Sequence, residues 1–116
     1  SIGLVGSEMC IRDSKNISTA LMIDQRVSEG ISSYFFKEKA LTTTIPAQLI
    51  KKYNISVVPV YIERTRGIKF KISFNKPIYF SYETSIEAIT DKLNNILEQM
   101  IIKKPEQWIW SHNRWK

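Results

Sequence analysis

Residues 84–101, TSIEAITDKLNNILEQMI, carry the clearest structural pattern of the sequence. Apolar residues recur in this stretch at intervals of three and four, which places them on one face of an α-helix. Thr84 and Glu87 match a capping box at the start of the helix, and Pro105 ends it or begins the next turn. The pattern therefore predicts a long amphipathic helix that covers a core on one side. Its apolar positions are Ile86, Ile89, Leu93, Ile96, Leu97, Met100 and Ile101.

The segment before this helix alternates in the manner of β-strands. Residues 56–63 are rich in β-branched side chains, and Pro59 cannot donate to a ladder, so we expect the strand to be unpaired there. The tight link 64–67 leads to residues 68–74, where Ile and Phe alternate with Lys and Ser. The short link predicts an antiparallel hairpin, and the alternation predicts that its last strand is half-buried with a basic outer face.

The first third of the sequence predicts a further strand. The apolar run Ala20–Ile23 is typical of a buried strand, and Asp24 and Gln25 follow at its end. In open α/β sheets, ligands collect where strands end, so a carboxylate at this point can orient a histidine or bind a sugar hydroxyl. The alternative is an aspartate that only forms a turn. After a loop at 28–33, residues 34–36 predict a brief extended segment.

A short helix is predicted next. Thr42–Thr44 offer N-caps, Pro46 suits a first turn, and Asn54 is a plausible stop. The elements then run strand, helix, strand pair and long helix, which favours the α/β class: a mixed sheet packed by helices.

Composition limits the kinds of function. The chain has 116 residues, 43% of them hydrophobic, which is enough for a packed core. No apolar run approaches the roughly 20 residues that cross a bilayer. A net charge of +6 favours anionic partners, namely nucleic acid, an acidic membrane face, a phosphorylated substrate or an acidic carrier protein, unless it only solvates the surface. The single cysteine, Cys10, excludes an internal disulfide and a cysteine-based zinc site.

Residues 1–15 differ from the rest because they show no sustained period. The string GSEMCIRDS at 6–14 resembles a translated sequencing-library adapter. We therefore expect residues 1–15 to be non-native or disordered, and residues 16–116 to form the C-terminal part of a domain.

Few residues offer catalytic chemistry. His112 is the sole histidine of the sequence, and we favour a histidine packed in an aromatic tail over a catalytic one. The sequence has no glycine-rich phosphate loop, and its acidic residues are too scattered for a metal site, so we expect neither cofactor nor metal.

Two basic patches remain open to interpretation. One comprises Arg64, Arg66, Lys69 and Lys71, which could bind phosphates or simply form a solvated strand face. The other is the tail, where tryptophans alternate with Arg114 and Lys116. Such a tail suits an interfacial anchor, a packed terminus or binding of single-stranded nucleic acid.

Four segments, in order, resemble the lipid A biosynthesis lauroyl/myristoyl acyltransferase family, over residues 17–116. The last segment is the most specific, because Pro-Glu-Gln-aromatic-x-Trp-x-His-x-Arg-aromatic-Lys closes many members. The matching segments are MIDQ at 22–25, Phe35-Phe36 followed by Thr42–Thr44, VVPVY at 57–61, and PEQWIWSHNRWK at 105–116.

The resemblance implies the C-terminal part of a glycerolipid-acyltransferase-like mixed sheet flanked by helices. It implies transfer of a fatty acyl chain from an acyl carrier protein thioester to a phosphorylated, Kdo-bearing lipid A precursor, at the cytoplasmic face of the inner membrane. In such enzymes a histidine with an acid five positions later is the general base. His112 has no such acid, so we expect the catalytic pair and the membrane anchor upstream, no catalytic residue here, and no activity from this chain alone. The expected substrate-binding residues are Asp24, Gln25, Thr43, Arg64, His112 and Arg114.

Two alternatives stay open from the sequence. One is a related acyltransferase for another glycolipid, such as a phosphatidylinositol mannoside. The other is a small basic module that binds nucleic acid or an anionic membrane surface. We favour the lipid A enzyme, and with it no nucleic-acid partner.

Overall fold

A computed structural model describes residues 20–108 and 110–115, with the backbone alone at His112. The expectation for residues 1–15 lies outside this part of the chain. The described residues form two small antiparallel sheets and two α-helices, so the predicted α/β class is confirmed.

The first sheet is a hairpin of β1 (Ile31–Phe35) and β2 (Glu38–Thr42). Phe36 and Lys37 form its turn with φ of 51° and 66°, the left-handed values that two-residue hairpin turns require. The sequence predicted only a short extended segment here and missed β2, because EKALT has no strand-like alternation.

The strand predicted at Ala20–Ile23 is wrong, since these residues lie in irregular backbone and Asp24 and Gln25 form a bend. The apolar run has another use: Ile23 packs against the core between the helices, while Met22 is half exposed. Apolar side chains can fill a core from a loop without any ladder, which the sequence pattern cannot reveal.

Helix α1 spans Ile45–Tyr53, where the sequence predicted it. Thr44 is the N-cap residue, Pro46 lies in the first turn, and Asn54 ends the helix in the left-handed conformation at φ 49°, ψ 49°. The Thr43 hydroxyl accepts a hydrogen bond from the Ile45 amide at 3.3 Å, and so supplies one of the partners that a helix start needs.

The second sheet is the predicted antiparallel hairpin, with β3 at Val60–Arg66 and β4 at Lys69–Phe74. The predicted link at 64–67 is wrong, because β3 continues through Arg66 and only residues 67 and 68 form the turn. Pro59 lies outside the ladder, between β3 and an isolated bridge of Val57 with Ile78, as its missing N–H requires. The predicted half-burial is wrong, because the apolar side chains of β4 are 55–73% exposed. They point away from the rest of the described residues.

Helix α2 spans Ile86–Lys103, and Pro105 starts a short 3-10 turn as expected. The capping box at Thr84 and Glu87 is wrong by one residue. Ser85 is the N-cap, and its hydroxyl accepts from the Ala88 amide at 3.1 Å. The Thr84 hydroxyl instead lies 3.2 Å from that of Ser81.

The core has two clusters, both built on α2. One joins α1 to α2 through Ala47, Ile50, Ile89 and Leu93. The other places Phe35, Ala40 and Ile101 against the tail, where two tryptophans, Trp108 and Trp115, pack on it. The Phe35 ring centroid lies 5.7 Å from that of Trp108 and 5.5 Å from that of Trp115. The tail therefore closes the first hairpin onto the helix.

Candidate functional site

The C-terminal end of β2 brings together three of the predicted binding residues. Asp24 lies in the preceding loop, Thr43 follows β2 directly, and Arg114 reaches the same place from the tail. Each comes from a different part of the sequence, so their proximity is a product of the fold.

Arg114 is the best-anchored residue of this site, at 2% exposure. Its guanidinium donates from Nη1 to the Leu41 carbonyl at 2.5 Å and from Nη2 to the Thr42 hydroxyl at 3.0 Å. It also lies over the Phe35 ring, 5.5 Å from the centroid. These contacts use one N–H group on each terminal nitrogen, while the buried Nε has no hydrogen-bond partner among the described residues. Arg114 thus fixes the end of β2 in place. Direct contact with substrate stays a prediction.

Asp24 complements this buried cation. Burial lowers the pKa of Arg114, because a charged guanidinium loses hydration, and the nearby Asp24 carboxylate opposes that shift. Asp24 is only half-buried, so one side of it still faces solvent. A carboxylate held beside a fixed arginine and open to solvent can accept a hydrogen bond from a hydroxyl or an imidazole.

The Thr42 hydroxyl is the junction of a buried hydrogen-bond network. It accepts from Arg114 and, at 3.0 Å, from the Asn94 amide nitrogen, and it donates to the Ala40 carbonyl at 3.1 Å. Asn94 donates a second bond, of 2.9 Å, to the Ser33 hydroxyl. This hydroxyl in turn donates to Asp91 at 2.5 Å. The network ties both strands of the first hairpin to α2.

Sequence reasoning missed Asn94, although a signal existed. Thr90 and Asn94 lie one helical turn apart beside the apolar stripe of α2, and both are fully buried. Polar residues at that spacing next to a core face indicate a buried hydrogen-bonding site.

Gly30 sets the approach of the Asp24 segment to β2. A Cβ atom at Gly30 would lie 2.0 Å from the Thr42 carbonyl oxygen, and its φ is +147°. Only glycine permits this contact. The end of the Asp24 loop next to β1 is therefore held directly against the threonine segment.

The other predicted residues lie elsewhere. Gln25 is exposed beside Asp24, and His112 lies in the 3-10 turn Trp110–His112. Arg64 is on the second hairpin, where its guanidinium lies 5.1 Å from the Phe70 ring centroid. Its amide donates to the Gln107 side chain at 2.5 Å.

A separate open depression of about 540 Å³ is lined by Tyr34, Lys37, Asp91, Asn95 and Glu98, none of which was predicted as a site residue. Among the described residues, no group of three potential metal ligands converges. Neither helix of that part of the chain is long and apolar enough to cross a bilayer.

Comparison with known proteins identifies the family. A family model described as bacterial lipid A biosynthesis acyltransferase matches residues 7–116, and so begins within the segment that we expected to be foreign. No curated protein matches the chain. The match covers nearly the whole sequence. It includes the strands and helices from β1 to α2 and the tail that contains Arg114. The chain therefore belongs to the bacterial lipid A biosynthesis acyltransferase family.

Proposed function

We propose that the chain is the C-terminal portion of an acyltransferase that moves a fatty acyl chain from acyl carrier protein to a hydroxyl of a Kdo-bearing lipid A precursor. The reaction takes place at the cytoplasmic face of the inner membrane. The family match over residues 7–116 carries this proposal.

The reaction needs a general base that is paired with an acid. The described residues provide no such pair. A histidine with an acid five positions later, upstream of this chain, takes the proton of the acceptor hydroxyl. The hydroxyl oxygen attacks the thioester carbonyl, the carbon–sulfur bond breaks, and the carrier thiolate leaves and receives the proton. The 116-residue chain alone is therefore inactive.

Asp24 and Thr43 support the acceptor side of this reaction. Asp24 presents a partly exposed carboxylate beside Arg114, which suits a hydrogen bond to a sugar hydroxyl or to the histidine. Thr43 stands at the start of α1, where the positive end of the helix dipole favours an anionic group such as phosphate. The net charge of +6 also suits an acidic carrier and a phosphorylated acceptor.

The test is acyl transfer by the full-length enzyme from a defined acyl carrier thioester to a phosphorylated lipid A precursor. With Asp24→Ala we expect kcat/KM to fall about 10- to 100-fold, the equivalent of one charge-assisted hydrogen bond of roughly 1.5–3 kcal/mol. Glu29→Ala is the matched control, because Glu29 is an exposed acid of the same loop.

Two results would count against the proposal. Absence of transfer by the unmodified enzyme would remove the assigned reaction. Normal transfer by the Asp24→Ala enzyme would keep the reaction and remove Asp24 from the site.

A further inference from the structure

The polar face of the second hairpin carries a concentration of positive charge. Residues paired across an antiparallel ladder lie on one face, and the register pairs Arg66 with Lys69 and Glu63 with Lys71. Lys69 and Lys71 are alternate residues of β4, so their side chains lie on that same face. Residues 60–74 contain four cations and one acid, and so supply half of the net charge of +6 of the chain.

The end of α2 adds a further cation to this face. The Lys103 ammonium lies 5.5 Å from the ring centroid of Tyr61, which is on the same side of β3 as Glu63. The next side chain, Lys104, donates to the Arg64 carbonyl and so fixes the helix end to the hairpin. We call the surface formed by these exposed cations the basic face: Arg66, Lys69, Lys71 and Lys103.

The hairpin leaves the charge of the basic face unbalanced. Like charges directly opposite each other destabilise a ladder, and Arg66 and Lys69 are such a pair. The Thr65 hydroxyl donates to the Lys69 carbonyl at 3.3 Å, and so helps to hold the two cations together. Glu63, the one acid of residues 60–74, faces Lys71 instead. An anionic surface lying against the basic face would remove this repulsion.

The turn of the hairpin places an apolar side chain between the cations. Ile68 is 93% exposed, with Arg66 and Lys69 on either side of the turn. A Cβ atom built on Gly67 meets no other atom within 4 Å, so the turn projects from the described residues. A bilayer interface accepts both kinds of side chain, because headgroup phosphates attract the cations and the acyl boundary takes up the isoleucine.

Two other anionic partners fit the basic face less well. Single-stranded nucleic acid needs exposed rings on which bases stack, and the ring of Tyr61 is partly buried beneath Lys103. An acidic protein needs carboxylates that match each cation in position. An anionic headgroup layer needs only the density of positive charge, and it also receives Ile68.

We propose that the basic face docks on the anionic headgroup layer of a membrane and that Ile68 inserts at the acyl boundary. This inference rests on the proposed function, which brings the chain to the inner membrane. It assigns the membrane contact to a surface that contains neither Asp24 nor Thr43.

Cosedimentation of the 116-residue chain with lipid vesicles measures this docking without turnover. We expect binding to vesicles of phosphatidylglycerol and phosphatidylcholine that weakens with salt, and no binding to phosphatidylcholine alone. Arg66→Gln combined with Lys69→Gln should weaken binding about 25-fold, because each cation near an anionic surface contributes about 5-fold. The matched control is Lys39→Gln combined with Lys92→Gln, which removes two exposed cations from other elements and should bind like the unmodified chain. Equal losses in both double variants, or no binding by the unmodified chain, would overturn the proposal.

A fluorophore at the turn tests the insertion in the full-length enzyme. In a cysteine-free background, Ile68→Cys and Asn95→Cys are each labelled with an environment-sensitive dye, since Asn95 is an exposed position on α2. We expect quenching by nitroxide-labelled lipid in anionic vesicles at position 68 and none at position 95. A dye at position 68 that responds to added acyl carrier protein and not to lipid would assign the basic face to an acidic protein, and would refute membrane docking. Neither measurement depends on acyl transfer, so a failure here is distinct from a failure of the transfer assay.

Discussion

The two hairpins have the same two-stranded antiparallel plan and opposite surroundings. In β1–β2, Phe35 and Ala40 are at most 1% exposed and lie against α2 and the tail tryptophans. In β3–β4, Ile72 and Phe74 have no cover among the described residues and are more than half exposed. The covered hairpin, β1–β2, shows the weaker alternation of apolar and polar residues in its sequence. Burial is therefore decided by what packs on a sheet, and alternation only says which face is available.

Polar side chains widen the contrast. The first hairpin is bonded to α2 and the tail through Asn94, Arg114 and the Trp115 indole, which donates to the Phe35 carbonyl at 2.9 Å. The second is joined to the end of α2 and the turn after it through Tyr61 and the Arg64 backbone. The first hairpin should thus belong to the most stable part of the chain.

The largest expected effect compares one phenylalanine from each hairpin. Phe35→Ala removes a fully buried ring and should lower the free energy of unfolding by about 3–5 kcal/mol. Phe74→Ala should change it by less than about 0.5 kcal/mol in this chain, because the ring is exposed. Urea unfolding followed by tryptophan fluorescence measures both, and equal losses would contradict the contrast.

A smaller effect is expected from the buried amide. Asn94→Ala removes both donors to Ser33 and Thr42 and should destabilise by about 1–3 kcal/mol. The neighbouring Asn95 is exposed, so Asn95→Ala should be nearly neutral and serves as the control. If the two variants unfold at the same urea concentration, the network does not stabilise the first hairpin.

The start of α2 provides a test of about 1 kcal/mol. Ser85→Ala removes the cap on the Ala88 amide and should cost about that amount. Thr84→Ala should cost less, because Thr84 bonds no helical amide in the structure. The reverse order would restore the capping box that the sequence suggested.

The smallest expected effect concerns Tyr61 at high pH. Burial raises its pKa, with the nearby Glu63 and Glu106 carboxylates adding to the shift and Gln107 opposing it. The folded state therefore favours the neutral phenol. This contribution to stability is complete below the unfolded pKa of about 10 and is lost as the pH rises through the higher folded value. Above pH 10, the Tyr61→Phe variant should lose less stability than the unmodified chain. Tyr82 has an exposed ring, so the Tyr82→Phe variant is the control and should behave like the unmodified chain. Identical alkaline unfolding curves for all three proteins would refute this prediction.

Local structure could be predicted from the sequence where residues close together along the chain determine it. Thr44, Pro46 and Asn54 bound α1 as expected, and the 3.6-residue period located α2. Partners distant in sequence were not readable. The cover on β1–β2 comes from residues more than fifty positions away, such as Asn94 and Trp115, and neither strand shows a periodicity that indicates it.

The roles of the candidate site residues stay predictions. Thr43 stands out in the sequence because it lies beside a helix start, whereas Asp24 was selected at the end of a strand that the structure does not contain. Asn94 is important because Ser33 and Thr42 face it. The binding of substrate by Arg64 stays a prediction, and so does the binding of substrate by His112.

Gly30 has a consequence for how this enzyme can change over time. The position is exposed, and surface loops usually accept many residues. A mutational scan of the enzyme should nevertheless find position 30 closed to other amino acids, because the first carbon of any side chain meets the Thr42 carbonyl. Variation within the loop that carries Asp24 must then arise by exchange of its side chains, while its point of attachment to β2 stays constant.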